Sequence, residues 1–163
     1  MPDHDARLAA LGIDLPVPST PAFNYVPTLR IGNMLYISGQ LGLWNGALQQ
    51  KGRLGIVSLQ EAQEAARLCG LNVLAHVRAS NGGSLNGIVQ CVRLTRYVST
   101  QQDCYDQAAV MNACSDLMEK VLGEAGRHTR TTVGVAALPL DATVEVDGLF
   151  QLADERCSSQ PWR

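Results

Sequence analysis

Apolar positions recur along this chain with two periods, and they divide it into seven main elements. Residues 59–77 carry an apolar stripe at helical spacing: Ala62, Ala65, Ala66, Cys69, Val73 and Val77. Ser58 precedes it, and Glu61 lies three residues later, the spacing of a capping box. Residues 105–122 repeat the pattern through Ala109, Ala113, Leu117 and Val121, with Val110 and Cys114 beside them. Asp103 is the expected cap, and Gly123 and Gly126 frame the exit. Five stretches read as strands: 23–29, 33–38, 87–98, and a final pair at 129–137 and 143–152. Met34, Leu35, Tyr36 and Ile37 form a nearly continuous apolar run, as in a strand buried on both faces. In residues 87–98, Ile88, Val92, Leu94 and Val98 share one parity, which Gln90 and Arg96 interrupt.

The order ββαβαββ puts two helices on one side of a sheet. That gives a two-layer α+β domain, with helices packed on one face of a mixed sheet. The other face has no helices of its own, so its apolar positions predict burial against another copy of the chain. Residues 41–57 read as glycine-punctuated loop, and 79–86 as a second loop. A leader over residues 1–20 holds a short helix at 3–12 and the proline-rich connector LPVPSTP. The domain body spans 21–152, and 153–163 is a polar tail expected to fray.

The last strands carry the candidate chemistry. Residues 138–142 predict a tight return, making a hairpin. If 137 and 142 close it, Val133 opposes Val146 and Val135 opposes Val144 on the helix-facing side. Arg130, Thr132, Glu145 and Asp147 then line the other face together. A slip of one residue would undo this placement. An arginine among carboxylates reads two ways. It forms an ion pair at an interface, or it holds a planar fork ready for a small carboxylate ligand.

Composition narrows the classes. The chain has 163 residues, enough for one domain with a substantial core. Its charged fraction is 17%, against roughly 25% in ordinary globular domains, which fits equally part of the surface being buried by assembly or a small core-rich domain with neutral polar loops. The net charge is -2 with no basic run, so there is no electrostatic footprint for nucleic acid. Five cysteines without a CxxC exclude a disulfide scaffold, and Cys69, Cys91 and Cys114 read as small buried hydrophobes. Neither Cys104 nor Cys114 has a histidine nearby in sequence to activate it. His76 sits near a helix end, and His128 reads as a surface histidine. Histidine and carboxylate spacings give no metal site. MPDHDARLAALGIDL lacks a basic leader and a long apolar stretch, and no 18-residue apolar run exists, so the expected setting is the cytoplasm.

Three segments carry a resemblance to a known family: LRIGNMLYISGQL, MNACSDLMEKVL and HTRTTVGVAALPLDATVEVDG. The ISGQ segment, the NA-containing helix and the R-x-x-V-x-V-A-x-L-P-x-x-A-x-V-E-V ending together resemble the YjgF/RidA family, also labelled L-PSP endoribonucleases. The likeness covers roughly residues 21–152 and suggests a longer, divergent branch. It implies a chorismate-mutase-like fold and a homotrimer with clefts between subunits. It also implies hydrolysis of amino-acid-derived enamines and imines to 2-oxo acids and ammonia, with no metal or organic cofactor.

By the same resemblance, Arg130 takes the substrate carboxylate, Glu145 helps position water, and Thr132 contributes backbone polar atoms. Tyr25, Ser38, Gly39 and Asn112 complete the binding site. Gly134 and Ala137 depart from the family pattern, where glutamate and arginine are usual, and this bears on which anion is bound. Two other activities follow less directly: a trimer that binds a small carboxylate without turnover, and an endoribonuclease.

Overall fold

The structure is a computed structural model and describes residues 3–154. The part of the predicted tail beyond Asp154 lies outside the described residues. Helix α1 (His4–Ala10) begins on Asp3, whose side chain accepts from Ala6 N. Strands β1 (Thr28–Ile31) and β2 (Met34–Leu41) follow. A small hairpin, β3 (Leu43–Trp44) and β4 (Ala47–Leu48), lies inside the stretch expected to be loop. Asn45 and Gly46 make its turn, both with positive φ, which an Asn-Gly pair adopts readily. Helix α2 (Leu59–Ser80) starts with the expected capping box between Ser58 and Glu61. Strand β5 (Ile88–Ser99), helix α3 (Gln107–Leu122), β6 (Thr129–Val135) and β7 (Val144–Leu152) complete the fold. No helix among the described residues is long and apolar enough to cross a membrane.

Two local expectations change. The first strand begins at Thr28 rather than 23, because residues 22–27 turn beside it. Asp103 does not cap α3. It adopts φ +63°, and Asp106 takes the N-cap position without a side-chain bond. Leu8 of α1 is buried in the main core.

The larger correction concerns the last two strands. They are not a hairpin. The five-stranded sheet has the order β1-β2-β7-β5-β6, so β5 separates β6 from β7. β6 runs parallel to β5 and is reached through α3, while β7 is antiparallel to both β2 and β5. Residues 136–143 pass across the end of β5 instead of folding back on β6. The strand pattern alone could not exclude the simpler hairpin, because sequential strands are neighbours in most sheets.

This insertion reassigns faces. Leu94 pairs with Arg130 on one side and Gly148 on the other; Arg96 pairs with Thr132 and Val146. Those residues share the helix-covered face. Tyr97 pairs with Val133 and Glu145, and Thr95 with Thr131 and Asp147, on the open face. The expected parity holds for β7, where Val144 and Val146 are buried, and is inverted for β6, where Val133 is exposed.

The core lies between the sheet and α2 with α3. Leu35, Leu94, Val98, Val146 and Phe150 meet Ala66, Cys69, Val73, Cys114 and Met118 there. Small residues let the helices approach closely. A Cβ on Gly70 would stand 3.0 Å from both Cys114 Sγ and a Leu117 methyl.

Candidate functional site

Helix α3 presents Asn112 and Ser115 three residues apart, hence on one face, toward the end of β6. Arg130 lies exposed at that edge. Its Nη1 donates to Asn112 Oδ1 at 2.9 Å and to Ser115 Oγ at 3.1 Å. These two bonds orient the guanidinium. No ion pair joins Arg130 to a carboxylate among the described residues.

Behind it lies Arg96, fully buried. Arg96 Nη1 donates to the same Ser115 Oγ at 2.8 Å, and Nη2 to His128 Nε2 at 2.7 Å. His128 Nδ1 lies 2.6 Å from Gly126 O. A carbonyl only accepts, so Nδ1 carries the proton and Nε2 is the acceptor that Arg96 requires. Burial holds the imidazole below its ordinary basicity; the charges of Arg96 and Arg130 act the same way, against the Gly126 bond. A cleft of about 300 Å3 opens here, lined by Ser115, Glu119, His128 and Arg130 among others. Thr132 Oγ1 is buried and has no partner among the described residues.

A second group forms on the open face. Glu145 is half-buried beside Asp147, and burial first, then the Asp147 charge, raises its carboxyl above the ordinary range. The register of β2 against β7 shifts between Ile37 and Gln40, which puts Ser38 and Gly39 in a bulge next to Glu145. A Cβ on Gly39 would overlap Glu145 Oε1, so the absent side chain gives the carboxylate its space. Ser38 Oγ donates to Val26 O at 2.8 Å and ties the turn carrying Tyr25 to β2. Tyr97 donates its hydroxyl to Asp147 Oδ2 at 3.0 Å.

The structure thus brings Arg130, Thr132 and Asn112 together on the helix side. It places Ser38, Gly39 and Glu145 together on the open side, with Tyr25 on the adjoining turn. Within one chain these groups lie on opposite faces, contrary to the hairpin expectation that put Arg130 beside Glu145. Sequence reasoning missed Arg96, Ser115 and the bonding of His128. His128 is half-buried and bonded rather than a surface histidine. One signal was available: Arg96 breaks the parity of Leu94 and Val98, placing a charge at a core position.

The family model described as "YjgF/chorismate_mutase-like, putative endoribonuclease" matches residues 5–152. Protein TCP17 of Trypanosoma cruzi is 41% identical over 149 residues, covering 90% of this chain and 92% of that protein. A protein of unknown function from Agrobacterium tumefaciens is 41% identical and superposes with a TM-score of 0.85, over 91% of this chain and 92% of that one. A structure titled as a putative endoribonuclease from Shewanella oneidensis is 32% identical with a TM-score of 0.89, over 93% of this chain and all of that one. The matched span takes in both side-chain groups and every strand that places them, and on that ground the chain belongs to the YjgF/RidA family.

Proposed function

We propose that the protein hydrolyses reactive enamines and imines derived from amino acids, releasing the 2-oxo acid and ammonia. The observation that carries this is Arg130. Its guanidinium is exposed and fixed through Nη1, and it meets no carboxylate among the described residues. A small carboxylate can take the remaining edge of the fork in a bidentate pair.

Glu145 supports the second half of the chemistry. A carboxyl raised by burial is a better proton acceptor near neutral pH than an ordinary glutamate. It would orient a water toward the imine carbon. The C–O bond forms as the imine nitrogen takes a proton. The tetrahedral carbinolamine then collapses to the ketone and expels ammonia. The imine is already electrophilic, so placement accounts for most of the acceleration.

Arg130 and Glu145 lie on opposite faces of one sheet, so a site using both takes them from two copies. The Arg130, Asn112 and Thr132 group of one copy faces the Ser38, Gly39, Tyr25 and Glu145 group of its neighbour, in a cyclic homotrimer with three clefts. Freshly generated imino acids provide the assay. Arg130→Ala and Glu145→Gln are each expected to lose nearly all turnover. Unfolded together and refolded as a mixture, the two variants regain about a quarter of wild-type activity, because one cleft in four combines both intact residues. A mixture as inactive as its components sinks the shared cleft, and full activity in Arg130→Ala sinks the mechanism.

A further inference from the structure

Arg96 poses an unsolved charge. It is fully buried, yet no carboxylate pairs with it among the described residues. Its Nη atoms donate to a serine and to a neutral histidine, and Nε has no partner among the described residues. The other groups that face it do not help. Cys91 and Cys114 are thiols that burial keeps protonated, and Arg130 is a second cation. The two guanidinium groups converge on one atom, at 2.8 and 3.1 Å from Ser115 Oγ. Glu119, at the rim of the cleft, is already engaged by Arg127 at 3.1 Å. Hydrogen bonds to neutral acceptors satisfy donors but do not cancel charge, and an uncompensated buried cation is costly. Thr132 Oγ1, on the register partner of Arg96, is a second orphaned polar atom on this face.

We propose that Arg96 determines ligand specificity at the Arg130 site, which selects acids carrying two negative charges over acids carrying one. The ligand supplies the counter-charge that the described residues do not. This rests on Arg130 holding the ligand carboxylate, as in the function proposed above, but not on turnover. Arg96 acts through space from beneath Arg130. Its burial protects the effect from salt screening. At such distances in a partly buried site, one unit of charge changes affinity by about tenfold or more.

Binding of stable 2-oxo acids to the full chain tests it. The matched pair is 2-oxoglutarate and its 5-methyl monoester, which differ in one charge at nearly constant length. Wild type is expected to bind the diacid about tenfold more tightly. Arg96→Met reduces the ratio to near one, and Arg96→Lys retains most of it, with thermal melts establishing that each variant is folded. Inorganic phosphate competing as well as 2-oxoglutarate identifies phosphorylated acids as the dianions preferred; weak competition identifies dicarboxylates. Equal affinity of wild type for diacid and monoester overturns the proposal, and needs no variant to fold. So does a ratio unchanged in folded Arg96→Met. A preserved ratio without imine turnover instead overturns the deaminase function and leaves the charge selection standing.

Discussion

At the level of single residues, two titrating groups tie the site to measurable stability. The His128 imidazole is depressed below its ordinary value of 6.5, mainly by burial, so the folded chain resists a proton that the unfolded chain accepts. Its contribution to stability is therefore full above about pH 6.5 and is lost as pH falls below that. His76, also depressed by burial, adds a share of the same sign. Melting temperature is expected to fall as pH drops from 7 toward 5, and His128→Asn flattens part of that slope. Glu145 runs the other way. Its carboxyl is raised, so ionising it costs the fold stability as pH rises through the carboxylate range. Glu145→Gln should abolish turnover yet raise the melting temperature at pH 7 by on the order of 1 °C. That gain disappears below pH 4, where both side chains are neutral. Gly39→Ala tests the same carboxylate sterically. The methyl displaces Glu145 without removing it, so turnover falls while the chain still folds.

Among the elements, the helices were the most legible part of the sequence. An apolar stripe at steps of three and four, with Ser58 and Glu61 at its head, leaves little choice for α2, and both capping bonds form. Ser58→Ala is expected to cost about 1 kcal/mol, visible as a lower denaturation midpoint with unchanged m-value. Strands were legible as elements but not as neighbours. Period-two alternation says that β6 and β7 are strands, and nothing in it says that β5 lies between them. Arg130 stood out as a candidate because the residue types around it are distinctive. Its neighbours were misplaced because a face assignment inherits every error in strand order. Arg96 was visible only as an irregularity in an apolar parity, and its meaning needed the third dimension.

For the whole molecule, the open sheet face is the decisive surface. Leu29, Tyr36 and Val133 are exposed there, an apolar area that a solitary chain would leave in water. The homotrimer proposed above would cover this face and bring the Glu145 group of one copy to the Arg130 group of the next. Tyr36→Arg combined with Val133→Arg is expected to shift the sedimentation coefficient to that of a monomer and to remove turnover, while far-UV circular dichroism is preserved. A fully active monomer would refute the shared cleft outright.

The position of β7 also governs when this protein can form. Residues 144–152 fill the gap between β2 and β5, yet they leave the ribosome after all the other strands. Until they emerge, β2 lacks its inner neighbour and β5 is paired on one side only, so the sheet cannot be completed before them. The nascent chain carries unpaired strand edges and bare core residues, the features that recruit chaperones and seed aggregation. Completion of the sheet thereby waits on its last strand, and a chain cut short before Val144 would fail as a whole rather than lose one edge.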